Sequence, residues 1–454
     1  MSFTTTNPAT GEIEKTFDSH TPEEVEARLA QAAETFAQFR RTTFAERARL
    51  MITAADLLEA EVPDVARVVT TEMGKTFASA KGEVSKCALA LRWFAEHAES
   101  LLADQEIESS ATKSLVRYQP LGPVLAIMPW NFPMWQVIRF AAPALMVGNV
   151  GLLKHASNVP QTALVLEDVF RRAGYPDGAF TTLLIESKDV AAVIADDRIA
   201  AVTLTGSERA GQSVGAAAGD ALKKCVLELG GSDPFVVMPS ADLDQAVSTA
   251  VTARTQNAGQ SCIAAKRFII DRSIYEEFYE RFCAGMAALV VGDPMDPATN
   301  VGPLNSAAQR HEVVAQVDDA IDKGAAVGCG AEVPNGPGFY YPPTVLSGVS
   351  KEMRVFSEEV FGPVAVVESA TGLDEAIALA NATVYGLGAS VWTTEDSERQ
   401  RFIDEIDAGQ VFVNAMVAST PEMPFGGIKR SGYGRELSEL GIKEFCNAKG
   451  VWIA

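Results

Sequence analysis

From Thr21 onward, apolar residues recur three and four positions apart in "TPEEVEARLAQAAETFAQFR", and Thr21 with Glu24 has the spacing of a capping box. "FAERARLMITAADLLEAEVPDVARVV" continues in the same way, so residues 20–106 read as helical. From residue 115 the pattern changes to short apolar runs between helical segments. Strands are predicted at "GPVLAIMPW" (122–130), "VGLLKHAS" (150–157), "FTTLLIES" (180–187), "IAAVTLTGS" (199–207) and "KCVLELGG" (224–231). "QTALVLEDVFRRAG", "DVAAVIADD" and "SERAGQSVGAAAGDAL" are the helices between them. This alternation predicts a doubly wound α/β unit with a parallel sheet. It restarts after Gly231 with "PFVVMP", "DLDQAVSTAVTARTQ", "KRFIIDRS" and "YEEFYERFCAGMAAL", and later with "GPVAVVES", "LDEAIALANATV", "GASVWTT" and "QVFVNA", giving a second α/β unit.

A chain of 454 residues with 47% hydrophobic content can form two or three domains. Its net charge of -21 repels phosphate backbones and anionic lipid, arguing against nucleic acid and membrane surfaces as partners. "FAAPALMVGNVGLL" (140–153) is too short and too interrupted to span a bilayer, and the N-terminus has no secretory pattern, so a cytoplasmic location is expected. The six cysteines are scattered with no CxxC pair, and there are only four histidines. Free thiols are expected, and no metal site.

Three strand ends carry polar residues that a core would not select. "PWNFP" places Asn131 where its amide could serve an oxyanion or simply a turn. In "LTGSERAG", Gly206 permits close backbone approach, and Ser207 opens a helix either as a plain cap or at a pyrophosphate site. No GxGxxG is present. Glu228 sits in the apolar strand "CVLELGG", where it must be paired or have a raised pKa, the latter suiting a general base. Cys262 in "AGQSCIAAKR" could be core filling or a nucleophile.

Together with "NPATGE" (7–12), "EEVFGPV" (358–364) and "PFGGIKRSGYGRE" (424–436), these motifs, in this order, resemble the aldehyde dehydrogenase superfamily over essentially the whole chain. The resemblance implies a Rossmann-type cofactor domain (1–107 and 122–230), an α/β catalytic domain (231–436) and a small β oligomerisation arm (108–121 and 437–454). It implies Cys262 as nucleophile, Glu228 as base and Asn131 as oxyanion donor. The thiolate would add to an aldehyde, the thiohemiacetal would lose hydride to a nicotinamide, and water activated by Glu228 would hydrolyse the thioester to a carboxylic acid. CoA-acylating relatives generally lack this glutamate.

The resemblance further implies cofactor contacts from Trp130, Lys154, Ser157, Gly206, Ser207, Leu229, Glu359 and Phe361. Ser157 occupies the place of a glutamate that in many NAD-preferring members repels a 2'-phosphate, so NADP is expected to be preferred, with NAD possible. Ser157 and Asn158 could also cap the helix entered at Pro160. Arg139 stands where succinate-semialdehyde dehydrogenases keep an arginine for the distal carboxylate; a second arginine of some of them is replaced by Gln256, with Ser419 as a helper. Succinate semialdehyde is therefore the expected substrate. Other aliphatic or aromatic aldehydes and a catalytically silent structural role are the alternatives. A cysteine hydrolase is disfavoured, since no histidine is evidently paired with Cys262. Position 264 is Ala, so no adjacent thiol offers a local disulfide. The arm implies a homodimer or homotetramer.

Overall fold

The N-terminal helices begin where their caps dictate. In the computed structural model, which describes residues 2–454, they span Pro22–Phe39, Phe44–Ala60, Val62–Met73 and Phe77–Leu101. Thr21 and Thr43 each accept the N–H three residues on, while Glu24 and Glu46 return a bond to the cap backbone. The run read as continuous breaks at Glu61, because Pro63 is tolerated only in a helix's first turn. A hairpin, Ser2–Thr6 against Ile13–Asp18, precedes them and left no clear signal in the periodicity.

The first sheet has five parallel strands with Pro123–Met128 at its centre. Val150–His155 and Phe180–Thr182 extend it on one side, Ala201–Thr205 and Lys224–Glu228 on the other. "FTTLLIES" yields only the three-residue strand Phe180–Thr182 before a 3-10 turn at Ser187–Asp189. Strand order reverses between Pro123–Met128 and Ala201–Thr205, the position at which open α/β sheets bind ligands. A sixth strand, Gly432–Tyr433, pairs antiparallel with Leu227 and Glu228, so the Gly-rich turn expected to close the second unit crosses back to the first.

The second sheet has six parallel strands, in the order Thr344–Ser347, Val364–Ala370, Arg267–Asp271, Pro234–Val237, Gly388–Trp392 and Gln410–Val413, with Ala326–Cys329 antiparallel at one edge. Its side chains alternate faces. Phe235, Val237, Phe268 and Ile270 enter one apolar cluster, Val236, Met238 and Ile269 another. A third sheet joins Cys446–Ile453, Lys113–Pro120 and Gln105–Glu106. The short helix Ser438–Glu444 ahead of its last strand buries Ile442 in the core of the first unit.

Candidate active site

Cys262 follows a turn that the backbone enters reluctantly. Asn257, Ala258 and Gly259 all have positive φ, a conformation that costs L side chains about 1–2 kcal/mol. Only glycine fits at 259, since a Cβ there would lie 2.3 Å from the Gly362 carbonyl oxygen. Two buried cations hold the turn by its carbonyls. The Arg254 guanidinium donates to Gly259 (2.8 Å), Gly362 (2.6 Å) and Ala265 (3.0 Å), and Lys266 Nζ donates to Ser261 (3.0 Å), Cys262 (2.9 Å) and Ala264 (3.1 Å). Burial pushes the Cys262 thiol up to about 12, opposed by the positive charge of Arg139 and Lys266.

Asn131 is locked beside this turn. Its Nδ2 donates to the Gln260 carbonyl (3.0 Å), its Oδ1 accepts from Gln136 Nε2 (3.0 Å), and its own carbonyl accepts from Asn257 Nδ2 (2.8 Å). One amide N–H of Asn131 is left unspent. The helix that follows, Trp135–Val147, has no side-chain cap of its own. Instead, Glu83 on the helix Phe77–Leu101 accepts the N–H groups of Met134 (2.9 Å) and Trp135 (3.0 Å) and forms an ion pair with the buried Lys75.

Glu228 ends its strand 2% exposed, with neither carboxyl oxygen partnered among the described residues. Burial, reinforced by the nearby Glu436, raises its pKa well above the usual carboxylate range. Its carboxyl packs at Gly426, whose Cβ position would be 2.7 Å from Oε1, and it lines neither cavity described below. Arg139 pairs through Nε with Glu436, donates to Thr205 Oγ1 (3.2 Å) and lies over the Phe425 ring (4.4 Å). Its charge therefore already has an internal partner.

Two cavities meet at Cys262. One, of about 250 Å³, lies at the strand-order reversal and is lined by Trp130, Gly206, Ser207, Leu229, Glu359 and Phe361, together with Asn131 and Cys262. Trp130 and Phe361 meet edge to face at 5.7 Å. Glu359 accepts from the Gly231 N–H (3.2 Å) and pairs with Lys266 (3.4 Å), while Ser207 caps its helix through the Ala210 N–H (3.3 Å). Lys154 and Ser157 stand outside this cavity, at and just beyond the end of the next strand. Lys154 is buried, its pKa lowered by desolvation. Neither Ser157 nor Asn158 caps the helix Pro160–Arg172. Val159 is the N-cap, Glu72 takes the N–H groups of Gln161 and Thr162, and Asn158 bonds Asn305.

The second cavity, of about 290 Å³, is lined by Arg139, Gln256, Ser419, Trp135, Lys86 and Cys262 among others. Gln256 is exposed and Ser419 buried. The structure thus gathers Cys262, Asn131, Trp130, Gly206, Ser207, Leu229, Glu359 and Phe361 at one cavity, and Arg139, Gln256 and Ser419 with the same sulfur at the other. Glu228, Lys154 and Ser157 stand apart from both. Sequence reasoning missed Gln136, Glu83, Lys75, Lys86 and Glu436. Glu83 did leave a signal: it falls on the apolar stripe of its helix between Ala80, Val84 and Cys87.

Cys262 thus stands in the wall shared by a second pocket and a cavity at the strand-order reversal, the position at which open α/β sheets bind ligands. The chain belongs to the aldehyde dehydrogenase family, whose model matches residues 1–451. It is 60% identical over 457 residues to a protein of Mycobacterium tuberculosis named succinate-semialdehyde dehydrogenase [NADP(+)] 1, covering 100% of both chains. A succinate-semialdehyde dehydrogenase [NADP(+)] of Mycobacterium avium is 59% identical, with 100% of this chain and 97% of that one covered. Among solved structures, the succinic semialdehyde dehydrogenase of Streptococcus pyogenes in complex with NADP+ superimposes with a TM-score of 0.97 at 38% identity, over 99% of each chain. An aldehyde dehydrogenase of Brucella melitensis biovar abortus gives 0.96 at 34% identity, over 100% of this chain and 94% of that one.

Proposed function

We propose that this aldehyde dehydrogenase oxidises succinate semialdehyde to succinate, with NADP preferred over NAD. The observation that carries the reading is Cys262 standing in the common wall of the two cavities. The Cys262 thiol gives up its proton to solvent, and the thiolate adds to the aldehyde carbon. The charge developing on oxygen meets the unspent amide N–H of Asn131 and the backbone N–H of Cys262. NADP, when bound, supplies the hydride acceptor that turns the adduct into a thioester. Glu228 rotates from its site at Gly426 and, once ionised, takes a proton from the attacking water; burial raises its pKa above the usual carboxylate range, which makes the carboxylate a stronger base.

The donor set fits such a cofactor. Trp130, Leu229 and Phe361 supply apolar walls and Glu359 a carboxylate for ribose hydroxyls. Lys154 and the exposed Ser157 would offer a cation and a hydroxyl to a 2'-phosphate, and Ser157 carries no capping duty. The names of the close relatives support the same substrate and cofactor. Six free cysteines support a reducing, cytoplasmic setting. No described helix is long and apolar enough to cross a membrane. The exposed strand Cys446–Ile453 supports assembly as a homodimer or homotetramer, because an unpaired edge invites a partner.

The test follows absorbance of reduced nicotinamide with succinate semialdehyde, butanal and benzaldehyde, using NADP and NAD in turn. The highest kcat/KM is expected for succinate semialdehyde with NADP; a higher value for butanal, or for NAD, overturns the corresponding half of the proposal. Ser157→Glu should lower kcat/KM for NADP relative to NAD by about tenfold or more, through repulsion of the 2'-phosphate.

A further inference from the structure

Two cysteines far from the catalytic turn meet in the second α/β unit. Cys283 follows Tyr279 by one turn of the helix Tyr275–Ala287, so both side chains lie on one helix face. Cys329 ends the edge strand Ala326–Cys329, whose register against Thr344–Ser347 shifts between Val327 and Cys329. In a regular strand Gly328 and Cys329 would turn to opposite faces; the irregularity lets both lie against the helix. A Cβ on Gly328 would stand 2.6 Å from Cys283 Sγ and 2.5 Å from the Tyr279 hydroxyl oxygen, so glycine is what allows this sulfur to approach the strand. Cys283 and Cys329 pack against the same apolar cluster. The Cys283 sulfur accepts hydrogen bonds from the Cys329 thiol and from the Tyr279 hydroxyl, which is itself 3.3 Å from Ser347 Oγ.

Two adjacent thiols, both half-buried at a sheet edge and neither lining a cavity that reaches Cys262, can react with small solutes independently of the catalytic sulfur. We infer that Cys283 and Cys329 are a modification site, a dithiol that hydrogen peroxide oxidises reversibly to a disulfide. The donors from Cys329 and Tyr279 hold the Cys283 thiol below its ordinary pKa, against the effect of burial, whereas burial pushes Cys262 and Cys446 up to about 12, Cys225 up to about 11 and Cys87 well above the ordinary thiol range. The Cys283 thiolate attacks one peroxide oxygen; an S–O bond forms, the O–O bond breaks and hydroxide leaves, so sulfur gives up two electrons and peroxide takes them. The Cys329 sulfur then attacks the sulfenic sulfur, an S–S bond forms, the S–O bond breaks, and the departing hydroxide takes the Cys329 proton as water. With the proton first released by Cys283, two thiols and one peroxide give one disulfide and two waters. The bond ties together both ends of the segment from which Asn305 donates its N–H to Gln260 Oε1 (2.9 Å), beside the catalytic turn.

The experiment treats the full chain, as wild type, Cys283→Ser and Cys329→Ser, with one equivalent of hydrogen peroxide, counts thiols after denaturation and maps the peptides by mass spectrometry. Wild type should fall from six free thiols towards four, since the disulfide takes two, with a peptide pair joining Cys283 to Cys329 within one chain. Dithiothreitol should return all six. Cys329→Ser should stop at a sulfenic acid on Cys283, trapped by dimedone, and Cys283→Ser should lose thiols at least about tenfold more slowly than wild type. A disulfide between chains, or oxidation of Cys262 or Cys225 while Cys283 stays reduced, overturns the inference. So does a Cys283→Ser rate within about threefold of wild type. Should a variant not fold, the wild-type peptide map decides by itself: the linked pair must appear, and its absence refutes the assignment.

Discussion

In both groups proposed to carry the chemistry, the fold favours the neutral form. The Cys262 thiol is pushed up to about 12 and the Glu228 carboxyl well above its usual range, each mainly by burial. For Glu228 the sign of the pH effect follows directly. A raised folded-state pKa means that the neutral form is favoured by the fold, so its contribution to stability is present at low pH and is lost as pH rises towards the folded pKa. Glu228→Gln should remove that loss, and its gain in melting temperature over wild type should grow as pH rises above the ordinary carboxylate range. Thioester hydrolysis should slow by about 10²–10⁴-fold in the same variant, seen as acyl-enzyme accumulation. A melting advantage that shrinks with pH would contradict the burial assigned to Glu228. Arg139→Ala should cost about 3–5 kcal/mol in chemical denaturation, because Glu436 is left buried without its cation.

Elements position these residues through contacts remote in sequence. The helix Trp135–Val147 starts on the Glu83 carboxylate of another helix, and the helix Pro160–Arg172 starts on Glu72. Both borrow an acceptor that a local cap would otherwise provide. Glu83→Ala strands Lys75 and frees two helix N–H groups, for an expected loss of about 3–5 kcal/mol. Turnover should fall with it, since Gln136 and Arg139 ride on that helix; an unchanged denaturation midpoint would refute this account. Periodicity disclosed most of these elements, since the apolar stripe or run that buries each one lies in contiguous residues. It could not disclose Glu83 as a cap, because the partner lies 51 residues away. Nor could it show that Ser157 is relieved of capping, which depends on Glu72 arriving from elsewhere.

At the scale of the molecule, the two parallel sheets and the thiol between their cavities form the working unit, and the three-stranded sheet stands out from it with Trp452 62% and Ile453 49% exposed. Burying that edge against a second copy is the expected use of such a surface. Light scattering should report a dimer or tetramer, and the double substitution Trp452→Asp with Ile453→Asp should lower the mass towards the monomer. The Gly-rich turn illustrates what only assembly reveals: Gly432–Tyr433 returns to the strand that carries Glu228, and Glu436 beside it meets Arg139. Local patterning by itself determined the doubly wound architecture, most strand and helix positions, and the candidate residues Cys262, Asn131 and Glu228. These follow from side-chain periodicity and short motifs, which the backbone reads residue by residue. The tertiary structure alone decided that Cys262 lines both cavities, that Arg139 pairs with Glu436, and that Lys86 has no carboxylate partner among the described residues. Charge compensation and cavity walls are made by residues far apart in the chain, and only folding brings them within a few ångströms.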